Sequence, residues 1–329
     1  MKIRANVLVN SKEYVREPVD KEVNEILSSQ NNKFILTGGR GIGKSTVLCE
    51  LEKRGLGSNE QTIYCSPDNV ICFAKEPNDR FNTSVFDYYA ELSFSFEILL
   101  YIKRNYPILF RNHFKKDMEL VDSLYHAFIE QINNSTFKDI NIECMFRIKE
   151  LFSNILSKLQ QLNNIEKINI AIDRFDKING SSEYSQKTYE KYFDMFNKVI
   201  LTSDDPNLDA DRLLSNGYDL RYISYGNDKD VLGEIIRRRI QQYENNVDEN
   251  KSKHIISGEL FTTDYFLDKL SCFDGNIDYS LEALRYFIQL LGWYDKDYSI
   301  GKILDEAIAE KSKSHKDFER ILSKPTLYL

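Results

Sequence analysis

The chain has 329 residues, 42 % of them hydrophobic, enough for one large α/β domain with a smaller companion and a buried core. Lys plus Arg number 44 against 51 Asp plus Glu, and the net charge of −7 argues against a broad nucleic-acid-binding surface while leaving room for a local basic patch. No charged-then-apolar leader opens the chain, and the apolar helical stretch 92–102 contains Glu97 and is too short to span a bilayer, so a cytoplasmic protein that makes no use of a membrane is expected.

Residues 34–37 form a short apolar run suited to a buried strand, and GGRGIGKST follows at once. Gly38, Gly43, Lys44 and Ser45 fit the phosphate-binding pattern GxxxxGK followed by Ser or Thr, and a helix beginning near Lys44 completes the strand, loop and helix that the pattern requires. The residue types follow from the chemistry. Glycines let the backbone curl so that successive amides face one anion, and the helix N-terminus adds its positive end. The expected nucleotide contacts are therefore Gly38, Gly39, Arg40, Gly41, Ile42, Gly43, Lys44, Ser45 and Thr46, with Lys44 on the outer phosphates and the Ser45 hydroxyl on magnesium.

A second buried run, 62–65, is separated from the third, 168–172, by about a hundred residues, far more than one crossover requires. These read as helices. Leu120, Leu124, Phe128 and Ile132 share one stripe, and Leu151, Ile155, Leu159 and Leu162 another, both suited to packing on the sheet and on each other. Tyr101, Arg104, Arg111, Lys115 and Lys116 form the alternative, an aromatic and basic edge facing a partner. The third run, INIAID, ends abruptly in Asp173, the acidic residue that a triphosphate site needs at a neighbouring strand tip to hold magnesium through its water shell. Strands at 199–202 and 220–224 bring the number to five, and strands alternating with helices predict a parallel sheet covered on both faces.

After residue 224 the pattern is helical only, over 228–243, 262–273, 278–293 and 299–322, with Thr262 and Asp278 as expected caps. Arg237, Arg238 and Arg239 splay around one of these helices, which suits a solvated surface better than a single binding face. Cys49, Cys65, Cys72, Cys144 and Cys272 include no CxxC pair and lie at no ligand spacing from a histidine, so buried thiols are expected and neither disulfides nor zinc.

GGRGIGKST, IAIDRFDKI, KVILTSDDPNLDADRL and DVLGEIIRRRI, followed by a helical C-terminal region, together resemble the AAA+ ATPases, particularly the ORC/Cdc6-like branch and the related STAND nucleotide switches. The resemblance implies a three-layer α/β P-loop fold with a five-stranded parallel sheet in the order 5-1-4-3-2. It places an ATPase domain at 1–226, with a helical insert at about 84–164, and a helical lid at 227–329. It further implies ATP and Mg2+ as ligands, Ser203 or Asp204 as the polar sensor beside the outer phosphate, and Arg212 as a finger completing the site of a neighbouring protomer. Two departures stand out. Arg174 occupies the place of the acid that polarises the attacking water, leaving Asp176 as the provisional base, and Asp278 falls where a lid sensor arginine is usual, with Arg285 as a substitute.

The leading expectation is thus an ATP-binding switch or motor whose nucleotide state controls self-assembly or engagement of a partner protein, in DNA transactions or bacterial defence. The alternatives are an ATP-gated binding module without significant turnover and a DNA-handling initiator, loader or transposition regulator. In the last, the insert or an assembled ring is the expected DNA contact, because only residues 324–329 follow the last expected helix where that branch carries a winged helix.

Overall fold

Alternation along five short strands decides the architecture. In a strand, successive side chains face opposite sides of the sheet. Here Phe34 and Leu36, Ala171, and Ile200 enter one core, whereas Ile35, then Ile168, Ile170 and Ile172, then Val199 and Leu201 enter another. Both faces of β1, β3 and β4 are therefore covered, which is the reason these runs are largely apolar.

The computed structural model describes residues 17–38, 41–65, 83–133, 142–175, 190–204, 214–223, 229–246, 261, 263–273, 276–291 and 299–323. The elements are α1 (Glu17–Ser28), β1 (Lys33–Thr37), α2 (Lys44–Gly55), β2 (Glu60–Cys65), α3 (Thr83–Asn105), α4 (Lys115–Asn133), α5 (Ile142–Asn163), β3 (Lys167–Ile172), β4 (Val199–Thr202), β5 (Asp219–Tyr222), α6 (Lys229–Asn246), α7 (Asp264–Leu270), α8 (Ile277–Leu291) and α9 (Ile300–Ser323). The described pairings are parallel and run β2-β3-β4-β1-β5, the order 5-1-4-3-2 read from the other edge. This is the three-layer P-loop architecture expected from the sequence. Strand β1, between β4 and β5, delivers the phosphate loop at its C-terminal tip, where ligands of open α/β sheets bind.

Helices α1 and α2 cover one face through Val19, Val23, Ile26, Val47, Leu48 and Leu51. Cations tie α1 down further. Arg54 of α2 pairs with Asp20 and donates to Asn24 Oδ1 at 2.6 Å, while Arg221 of β5 pairs with Glu22 at 3.0 Å and Glu25 at 2.8 Å. Lys198, just before β4, donates to the carbonyls of Ile26 and Leu27 at 2.9 and 2.6 Å, capping the helix C-terminus. Burial holds this ammonium below its ordinary pKa.

The insert covers the other face. Helix α3 packs against β2, α4 and α5, and its residues Leu92, Ile98, Leu99, Tyr101 and Ile102 are inaccessible to solvent. A helix enclosed by a sheet on one side and helices on the other has no polar face to show, which accounts for its apolar composition. Of the alternative aromatic and basic edge, Tyr101 is withdrawn from the surface. Tyr101 is a core residue whose hydroxyl donates to Gln61 Oε1 at 2.7 Å, and Arg104, itself exposed, pairs with Glu52 of α2. Arg111, Lys115 and Lys116 are exposed. Of the two expected stripes, Leu124, Leu151, Ile155 and Leu159 are buried and Leu120 is partly so. Leu162, at the end of α5, is exposed, and the side chains of Phe128 and Ile132 lie outside the described residues.

The C-terminal helices enclose a core of their own, built on Leu232, Ile236, Phe261, Phe266, Phe287 and Leu304. Its aromatic rings meet edge-on, Phe266 and Phe287 at 5.4 Å between centroids. Asn276, rather than Asp278, caps α8: its Oδ1 accepts the Tyr279 N–H at 3.1 Å, which places Asp278 inside the first turn. Thr262 lies outside the described residues, and α7 starts after Thr263. Arg237 and Arg238 both turn back onto Glu234 of their own helix, holding its carboxyl below the usual range. Cys49 and Cys65 are buried as expected, but Cys272 is exposed.

Candidate nucleotide-binding site

The phosphate loop closes through backbone conformations that suit only glycine. Gly38, Gly41 and Gly43 have φ of 133°, 82° and 106°. At Gly38 the space is taken as well, because a Cβ would lie 2.3 Å from Ile42 Cδ1 and 2.7 Å from the Ile223 carbonyl. Gly43 starts α2, and its carbonyl accepts the N–H groups of Thr46 and Val47 at 3.0 and 3.1 Å. Lys44 and Ser45 thereby stand at a helix N-terminus, where the dipole favours an anion. Gly39 and Arg40, expected in the same loop, lie outside the described residues.

The Lys44 side chain is 5 % exposed. Its ammonium donates to the Gly38 carbonyl at 2.8 Å and pairs with Asp204 at 2.6 Å. Ser45 donates its hydroxyl to Asp173 Oδ2 at 2.7 Å, across 128 positions of sequence. The loop after β1 and the tip of β3, read separately from the sequence, thus meet in one site.

Two further hydroxyls hold the same carboxylate. Tyr64 of β2 donates to Asp173 Oδ2 at 3.2 Å, and Thr202 of β4 donates to Oδ1 at 2.7 Å. The Thr202 oxygen also accepts the Arg174 N–H at 2.6 Å, fixing the turn after β3 where Arg174 takes a left-handed φ of 47°. Neither Tyr64 nor Thr202 was among the expected site residues. The signal for them is strand parity: Tyr64 lies beside Ala171 in the sheet, Ala171 beside Ile200, and Asp173 and Thr202 follow Ala171 and Ile200 by two, so all face α2. Burial, together with the neighbouring Asp173 charge, pushes the Tyr64 phenol far above its ordinary pKa, so it remains a donor. The same causes, with Glu52 adding to them, keep the nearby Cys49 a neutral thiol.

Of the two sensor candidates, Ser203 is buried and continues the ladder by donating its N–H to Leu36 O at 3.0 Å, while Asp204 is the one whose side chain reaches the loop lysine. Asp176 and Arg212 lie outside the described residues. Asp278 stands in the first turn of α8 with its side chain outside them, and Arg285 is exposed on that helix. Among the described residues no cluster of three His, Cys, Asp or Glu could hold a metal by itself, and no helix is long and apolar enough to cross a membrane. A hydroxyl and a carboxylate 2.7 Å apart at the loop mouth nonetheless fit magnesium, which takes one or two protein oxygens and completes its shell with water and phosphate.

No protein-family model matches this chain, and no curated protein matches it. Among solved structures it is similar to domain III of the Thermotoga maritima replication initiation protein DnaA, with 12 % identity, a TM-score of 0.40 and 90 % of each chain covered. AMPPCP-bound DnaA from Aquifex aeolicus is a second, with 15 % identity, a TM-score of 0.31, and 98 % of this chain and 92 % of that chain covered.

Proposed function

We propose that this chain is an ATP-binding P-loop ATPase of AAA+ type whose nucleotide state controls self-assembly or engagement of a partner protein. The observation that carries the reading is the convergence of Lys44, Ser45 and Asp173 at the tip of a five-stranded sheet of AAA+ order. In this reading the loop amides and Lys44 bind the phosphates, Ser45 ligates Mg2+ directly and Asp173 through water. Tyr64 and Thr202 keep the Asp173 carboxylate turned toward the loop.

Turnover is proposed to be slow. Arg174 cannot accept a proton, and its backbone is fixed by Thr202 rather than free to swing. Asp176 remains the proposed base and Arg212 the proposed finger supplied to a neighbouring protomer. The same Arg174 favours a second reading, an ATP-gated binding module that locks on nucleotide without hydrolysing it. Participation in DNA transactions is the weaker proposal. The charge balance disfavours it, and Tyr101 of the insert is committed to the interior while Arg104 is engaged by Glu52.

Calorimetric titration with ATP and magnesium tests the first reading. Lys44→Ala should abolish binding, and retained affinity would refute the site. Phosphate release from the wild type, at rising protein concentration, then separates a catalyst that gains activity on assembly from a module that stays at the blank.

A further inference from the structure

We propose that Asp204 is a resident anion of the phosphate loop, a specificity-determining residue that makes the site discriminate against nucleoside triphosphates relative to diphosphates. The inference rests on the nucleotide-binding reading above and deepens it. Asp204 follows the last residues of β4, and the Ser203 N–H bond to Leu36 O extends the ladder one step past the strand, so the carboxylate is placed by the sheet rather than by a loose loop. Ile200 enters the core beneath α2 and Thr202 bonds to the Asp173 carboxylate, so Asp204 falls on the same parity and faces the loop.

There it meets Lys44 at 2.6 Å, with the two side chains 5 % and 14 % exposed. The loop's principal cation is therefore already neutralised by the chain itself. A hydroxyl or amide at this position could turn a donor toward an incoming phosphate, whereas an ionised carboxylate can only accept. Anion binding at Lys44 must displace Asp204 or share the ammonium with it, and in either case the carboxylate stays close to the newcomer. Like charges in a partly desolvated mouth repel more strongly than they would in water. Lys44 reaches the outer phosphates, and a triphosphate brings one more of them, with its added charge, beside Asp204, so the penalty falls on the triphosphate more than on the diphosphate.

The test compares ADP with a non-hydrolysable ATP analogue, both with magnesium, by calorimetry on the wild type, Asp204→Asn, Asp204→Ala and Asp194→Asn. Asp194 is exposed in the 3-10 turn that precedes β4, at the opposite end of that strand from Asp204, and its substitution makes the same change in net charge. Both Asp204 variants should bind the analogue about tenfold or more tightly, and ADP tighter by no more than about threefold, while Asp194→Asn alters neither. Equal gains for both nucleotides, no gain, or a matching gain in Asp194→Asn would overturn the assignment. Tight wild-type binding with unchanged Asp204 variants would reject Asp204 alone. No binding by any of the proteins, all confirmed folded by thermal melting, would reject the nucleotide reading with it.

Discussion

Thr202 offers the sharpest test of how the site is held together. It is fully buried at the end of β4, and one oxygen serves two partners: its proton goes to Asp173 Oδ1 at 2.7 Å and it accepts from the Arg174 N–H at 2.6 Å. Thr202→Val keeps the shape and removes both. A hydrogen bond to a charged group contributes about 1.5–3 kcal/mol, and a backbone N–H left without an acceptor costs about 1–3 kcal/mol more. The left-handed Arg174 turn, itself strained by about 1 kcal/mol, loses the contact that fixes it. Allowing for relaxation of the turn toward solvent, Thr202→Val should destabilise the protein by about 3 kcal/mol. Thr202→Ser keeps the oxygen and loses one buried methyl, for about 1 kcal/mol. Urea unfolding of the three proteins, followed by tryptophan-independent far-UV circular dichroism, reads the difference directly. If Thr202→Val is no less stable than Thr202→Ser, the hydroxyl does not hold the Asp173 turn and the reasoning fails.

Two other perturbations probe the loop and its support. Gly38→Ala forces a methyl against Ile42 and the Ile223 carbonyl at a φ of 133°, so nucleotide affinity should fall by at least about tenfold in calorimetry, from a distortion costing about 1–3 kcal/mol. Gly57→Ala is its control, since φ is 78° there but no atom lies within 4 Å, and its affinity should match the wild type. Burial holds the Glu52 carboxyl above its ordinary range, opposed by Arg104 and Asn105. The folded state therefore retains a proton that the unfolded chain has lost, and this group's contribution to stability is greatest below pH 4.5 and falls as pH rises through the folded value. Glu52→Gln should flatten that decline, by up to about 1.4 kcal/mol per pH unit within the window, in urea midpoints taken from pH 4 to 7. An unchanged slope would show that Glu52 is not the group responsible.

The strands and the loop were legible because their signals are local. Largely apolar runs mark β1, β3 and β4, and the glycine positions of GGRGIGKST follow from backbone geometry alone. Asp173 was legible as the polar end of an apolar run. The two hydroxyls beside it were not, since Thr and Tyr are ordinary strand residues and only the register across three strands assigns them to the α2 face. Exposure within the insert was equally hidden. Tyr101 reads as part of an edge because nothing in a helix's own sequence announces that a second helical layer will close over it. The cap of α8 moved from Asp278 to Asn276 for a smaller reason, as either residue can accept from the first turn and the preceding 3-10 turn at Phe273 decides where that turn begins.

Helix α1 has an apolar stripe that would hold it to the sheet in several neighbouring positions, since a slide or a small roll exchanges one aliphatic contact for another. Its cations remove that latitude. Arg54, Lys198 and Arg221 come from α2, from the start of β4 and from β5, and each addresses a different point along the helix. Together they give it one azimuth and one axial setting. Displacing α1 therefore means breaking contacts to the three elements that carry Lys44, Asp204 and the strand edge beside Gly38.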